Sequence, residues 1–162
     1  MVKITMSGDD KTNKTCLGWR EWVRLPDLGL AAIKAKVDTG ARTSALHAFD
    51  VTEQRRGGVH TVSFKIHPIQ KNTEKFIQCQ AEVIDKRIVA DSGGHKEHRF
   101  IIQTTLAIGD NAFPIELSLT NRDTMLFRML LGRKAISPRY IVDPQKSYLT
   151  HPDIKNQEEL CA

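Results

Sequence analysis

Apolar side chains recur at every second position along most of this chain, a period that fits strands and not packed helices. Val62, Phe64 and Ile66 alternate with Ser63 and Lys65, and Ile77, Cys79, Ala81 and Val83 alternate with Gln78, Gln80 and Glu82. Phe100, Ile102, Leu106 and Ile108 lie two or four apart, Gly109-Asp110-Asn111 turns the chain, and Phe113, Ile115, Leu117 and Leu119 resume the period. Segments 19–25 and 28–37 flank a turn at Pro26-Asp27. No long stretch carries the three-and-four spacing of an amphipathic helix, and no internal repeat is evident. Strands with one apolar face must bury it, so the pattern implies mostly antiparallel strands in a closed or nearly closed barrel, with at most short helical turns.

The chain of 162 residues suits one domain, and 40% hydrophobic with 27% charged residues describes a globular protein. We expect a polar N-terminal tail over 1–15, the barrel over 16–151 and a C-terminal tail over 152–162. No apolar run is long enough to span a bilayer, and residues 1–15 lack a signal-like apolar stretch. Cys16, Cys79 and Cys161 are an odd set without metal-ligand spacing, which reads as reduced thiols in a cytoplasmic protein, with Cys79 buried on a strand. The net charge of +5 raises the question of nucleic acid. Basic residues are spread along the chain, aromatics are only 6%, and no stacking motif or phosphate loop appears, so nucleic acid is set aside. A basic surface still draws acidic partners, including acidic peptides.

Asp38-Thr39-Gly40-Ala41 ends the alternating run of Ile33, Ala35 and Val37. On its own the tripeptide reads first as an ordinary turn after a strand. It is also what an aspartic protease requires: a strand delivers the carboxylate, Thr hydroxyl bonds brace the loop, and Gly permits a tight turn. Leu130-Leu131-Gly132-Arg133 follows the apolar Met125, Leu126, Phe127 and Met129 and precedes a short helical turn at Lys134-Ala135-Ile136. With Asp38 first and this run later, the chain resembles a retropepsin-like aspartic protease protomer, a closed acid-protease β-barrel. Trp19-Arg20-Glu21-Trp22-Val23, the stretch from Lys36 to His47 and Met129-Leu130-Leu131-Gly132-Arg133 sharpen this into a resemblance to a bacterial retropepsin-like family. That family often carries the label of ATP-dependent zinc protease, and some of its relatives are associated with ATP-grasp ligases that add glutamates to proteins. The likeness covers residues 17 to 149.

The resemblance implies an aspartic peptidase acting on peptide or isopeptide-like amide bonds, with Asp38, Thr39 and Gly40 as the catalytic loop. Ala41, Leu131, Gly132 and Arg133 would support it. The alternative is an inactive peptide-binding accessory module working with a glutamate ligase. Neither reading needs a cofactor. The zinc motifs H-E-x-x-H and H-x-x-E-H are absent among His47, His60, His67, His95, His98 and His151, and His95-Lys96-Glu97-His98 belongs to a hairpin. Ser44 and Ser92 lack a nucleophile elbow. Arg42 and His47, just beyond Asp38, are candidate substrate contacts, and Arg42 favours an acidic or glutamate-rich peptide.

Two carboxylates must share a proton for this chemistry, and one chain supplies one firm motif. Asp91-Ser92-Gly93 offers a second Asp, but too few residues separate it from Asp38 for a complete second lobe, and there is a single Leu-Leu-Gly run. Residues 86–102 read instead as a hairpin whose tip, Ser92, Gly93 and Gly94, is a candidate flap; Arg55-Arg56-Gly57-Gly58 is the other. The second carboxylate is then expected from a twofold-related Asp38 in a homodimer. Two departures stand out. Many viral enzymes place an acid where this chain has Arg42, so Arg133 must find another partner. The long interval from Asp38 to Leu130 also implies added strands or loops around residues 67–85.

Overall fold

A computed structural model describes residues 14–91, 93–122 and 124–151. The expected C-terminal tail, most of the N-terminal one, Cys161 and the candidate flap residue Ser92 lie outside the described residues. The elements in chain order are β1 (Thr15–Leu17), β2 (Arg20–Leu25), a 3-10 turn (Pro26–Leu28), β3 (Leu30–Val37), β4 (Ser44–His47), β5 (Phe49–Arg56), β6 (Val59–Ile66), β7 (Ile77–Ala90), β8 (Lys96–Ile108), β9 (Asn111–Thr120), β10 (Met129–Leu131), α1 (Arg133–Ile136) and β11 (Tyr140–Val142). The period-two segments all became strands, and the helical turn expected after Gly132 is α1.

Nine strands form one sheet in the order β2-β3-β10-β4-β9-β8-β7-β6-β5, and an added β2–β8 pairing joins the sheet to itself. The part from β2 to β8 is thus a closed ring, and β7, β6 and β5 continue it as an antiparallel extension. The ring is the expected all-β, retropepsin-like architecture. Val23, Ile33, Leu46, Phe64, Ile102, Leu117 and Met129 are fully buried in one shared core. Alternation explains the choice of face: Phe113, Ile115, Leu117 and Leu119 of β9 all point inward. Cys79 is buried on β7 as expected, and loss of solvation pushes its thiol up to about 11.

Two pairings in the sheet depart from the antiparallel rule. β10 runs parallel to β3 and β9 runs parallel to β4. The reason is insertion: β10 sits between β3 and β4, pairing Leu131 with Val37 on one side and Leu130 with Ala45 on the other. The connection from β3 to β4, which carries Asp38, must therefore pass across the end of β10. That crossing builds the site.

The paired tryptophans serve a different end. Glu21 is fully buried and accepts hydrogen bonds from the Leu149 and Thr150 amides (2.9 Å each) and the Thr150 hydroxyl (3.1 Å). Trp22 packs against Tyr148 at 5.8 Å between ring centres. A buried carboxylate needs such donors, so the Trp19–Trp22 motif fastens segment 146–150 to the ring.

Candidate active site

Asp38 follows the last residue of β3, and its amide donates to the Leu131 carbonyl at 2.9 Å, so the loop starts tied to β10. Its Oδ1 accepts from the amides of Gly40 (3.0 Å) and Ala41 (3.2 Å). One carboxylate oxygen is thereby fixed by the loop's own backbone. Oδ2 takes no hydrogen bond among the described residues.

Gly132 lies under this loop. A Cβ there would stand 2.6 Å from the carbonyl carbon of Thr43 and 2.9 Å from both the Arg42 oxygen and the Ser44 nitrogen. Only glycine lets β10 end this close to the crossing chain. The Gly132 amide donates to the Ser44 hydroxyl at 3.0 Å, the Arg133 amide to the Ala41 carbonyl at 2.8 Å, and the Lys134 amide to the Arg42 carbonyl at 3.1 Å. Ser44 thus braces the loop from a buried position. The partner of Arg133 is also found. Its Nη1 donates to the carbonyls of Thr39 and Gly40, both at 3.0 Å, so backbone oxygens take the place of the acid expected from the viral pattern. Thr39 is exposed at the loop apex, and its hydroxyl makes no hydrogen bond among the described residues.

The carboxylate opens into a cleft of about 530 Å³. Asp38, Gly40–Thr43, Ala45 and Leu130 form one side, and Arg87, Val89, Ala90, Asp91, Arg99 and Ile101 of the β7–β8 hairpin face them, with Ser118 and Arg122 completing the lining. Residues of the expected hairpin thus border the cleft, although the candidate flap residues Gly93 and Gly94 are not part of its lining. Gly93 and Gly94 are exposed at the hairpin tip, and Gly94 adopts the positive φ (78°) of the turn. The other candidate tip, Gly57-Gly58, joins β5 and β6 at the outer end of the sheet and adds nothing to this lining.

Asp91 is held in a related way, its second amide donor lying one residue further along the chain. Its Oδ1 accepts from the amides of Gly93 and His95, both at 2.9 Å. The His95 amide above all, then the Gly93 amide and the charge of Arg122, hold this carboxyl below its usual value.

The surrounding arginines differ in their compensation. Arg87 binds Asp85 at 2.6 Å and Glu116 at 3.1 Å, and Lys134 adds a second cation on Glu116 at 3.0 Å. The Arg87 and Lys134 hydrogen bonds bring the Glu116 carboxyl down to about 2. Arg99 is buried and paired with Glu97, which also accepts from the Thr120 hydroxyl at 2.7 Å. Burial opposes the charge of Glu97, but the bonds from Thr120 and Arg99 outweigh it and keep the carboxyl below its usual range. Arg42 and Arg122 are exposed in the lining and enter no ion pair among the described residues.

His47, a candidate substrate contact, is placed elsewhere. It is fully buried on β4, outside the cleft lining, and stacks with Phe49 and His67. Its Nδ1 accepts the Arg122 amide at 3.0 Å. Arg87, Arg99, Ser118 and Arg122 are among the lining residues that sequence reasoning did not assign to the site. Among the described residues no cluster of His, Cys, Asp or Glu is arranged to hold a metal, and no helix is long and apolar enough to cross a membrane.

The sequence profile described as "Retropepsin-like aspartic endopeptidase RimB" matches residues 16–153. The chain belongs to the RimB-like family. A solved structure from Legionella pneumophila, a protein of unknown function, superposes with a TM-score of 0.69 at 29% identity, covering 84% of this chain and 98% of that one. Two similar curated relatives carry the name "Probable alpha-L-glutamate ligase". The one from Shewanella pealeana is 46% identical over 136 residues, and the one from Desulfotalea psychrophila is 47% identical over 131. The match covers 84% and 81% of this chain but 30% and 28% of those relatives, so the chain spans under a third of their length.

Proposed function

We propose that the protein is an aspartic peptidase that hydrolyses amide bonds in acidic peptides, using Asp38 carboxylates from two copies of the chain. The observation that carries this reading is the presentation of Asp38: one oxygen is locked by Gly40 and Ala41, the other faces a cleft of peptide-binding size. In the paired site one Asp38 is ionised and the other holds the shared proton. The ionised carboxylate takes a proton from water, the water oxygen bonds to the substrate carbonyl carbon, and the neutral carboxyl gives its proton to the carbonyl oxygen. Collapse of the tetrahedral intermediate breaks the C–N bond as the amine leaves with a proton. The acidic preference rests on Arg42 and Arg122, the two lining arginines that enter no ion pair among the described residues.

A second reading, an accessory binding module serving a glutamate ligase, is favoured by the naming of relatives that contain this domain. Incubating purified protein with matched Glu-rich and Lys-rich peptides, read by mass spectrometry, separates the possibilities. Faster cleavage of the Glu-rich peptide is expected. Equal rates, or faster cleavage of the Lys-rich one, would overturn the preference. Binding without cleavage of either would leave the accessory reading.

A further inference from the structure

Four guanidinium groups line the cleft, yet two of them are spoken for. Arg87 is neutralised by Asp85 and Glu116, and Arg99 by Glu97. A guanidinium already bonded to carboxylates has few donors left for a ligand. Arg42 and Arg122 line the cleft without an ion pair among the described residues, and Arg122 acts on Asp91 and Glu97 only through its charge, so their donors remain available to a ligand. The two sit on different elements: Arg42 belongs to the catalytic loop, and Arg122 follows β9 beyond the flap hairpin.

Arg122 is an exposed residue on a loop, but its backbone is not loose. The Arg122 amide donates to Nδ1 of His47 at 3.0 Å, and its carbonyl accepts the Met125 amide at 3.0 Å. His47 is itself immobilised by full burial on β4 and by stacking with Phe49 and His67. A buried imidazole that spends a ring nitrogen on one backbone amide fixes where that residue's side chain begins. We infer that Arg42 and Arg122 form a carboxylate-binding subsite in the Asp38 cleft, with His47 positioning Arg122, and that the ligand is an acidic side chain of a bound peptide. This deepens the proposed function and rests on its choice of the Asp38 cleft as the peptide site.

The subsite is tested by binding, so that it stands or falls apart from catalysis. Protein carrying Asp38→Asn is titrated with a tetraglutamyl peptide and with its tetraglutamine counterpart. Arg122→Gln is expected to weaken the glutamyl peptide about tenfold, the scale of one partly exposed charge-assisted contact, and to leave the glutamine peptide unchanged. Arg42→Gln acts in the same direction. Arg56→Gln, which removes the same charge at the far end of β5, leaves both affinities unchanged, since solvent ions screen exposed charges beyond roughly 10 Å. His47→Leu reproduces the Arg122→Gln loss, and His47→Asn, which keeps an acceptor near Nδ1, restores binding. The inference is overturned if Arg122→Gln binds the glutamyl peptide as tightly as its parent, if both peptides weaken together, or if the parent does not bind the glutamyl peptide. Absent hydrolysis by the Asp38 protein alongside the expected binding pattern would remove the peptidase reading and leave the subsite.

Discussion

Asp38→Asn lowers peptide hydrolysis by about 10³-fold or more and leaves the protein folded, because proton transfer of this kind supplies roughly 10²–10⁴ in rate. The asparagine carbonyl accepts the Gly40 and Ala41 amides as the carboxylate Oδ1 did, so the loop keeps its shape. What is lost is the group that takes a proton from water. Thermal unfolding therefore moves little, as expected for a substitution outside the core, while turnover disappears. The same variant keeps its affinity for acidic peptides if the domain serves as a binding module. Initial rates together with melting curves for the two proteins check both halves of the statement.

Gly132→Ala destabilises the fold by about 3 kcal/mol, at the upper end of what a single overpacked methyl group costs. The backbone there (φ −86°, ψ 171°) suits any residue, so torsion is not the difficulty. The difficulty is contact: the new carbon meets Thr43, Arg42 and Ser44 at 2.6–2.9 Å, and every one of those atoms is backbone. No rotamer change relieves it. The crossing strand must move, and it carries with it the carbonyls of Ala41 and Arg42 that tie the loop to Arg133 and Lys134. Activity should fall further than stability alone explains, because Asp38 shifts with the loop. Urea unfolding with kinetics on the residual folded protein separates the two losses.

Much of this fold can be read from alternation. Val62 to Ile66, Ile77 to Val83 and Phe113 to Leu119 declare strands because their apolar sides must be covered, and their partners were the neighbours next in sequence. The parallel placement of β10 between β3 and β4 was less accessible, since it joins residues far apart along the chain and leaves no local period. Its one trace was Gly132, whose lack of a side chain admits the crossing. Within the site, Asp38 and Gly132 announced themselves through turn chemistry. Arg122 did not, because a single arginine after a strand looks like any solvated residue until the fold brings it to the cleft. His47 misled for the opposite reason: nearness to Asp38 in sequence suggested the cleft, but β4 turns that ring into the core. With Arg42 where many viral enzymes carry an acid, the sequence showed no side-chain partner for Arg133, and only the loop geometry reveals the carbonyls that serve instead.

The pairing of two Asp38 carboxylates is tested most directly in mixed dimers. Wild-type and Asp38→Asn chains carrying different tags are co-expressed, and dimers holding one of each are isolated by sequential affinity steps. A site built from both copies has then lost one of its two acids, so the mixed dimer hydrolyses peptide at the background rate of the Asp38→Asn homodimer. Half or more of the wild-type rate would mean that each chain works alone. Asp91, which lines the same cleft and is held by the Gly93 and His95 amides, would then be the second acid, and the homodimeric account would be wrong.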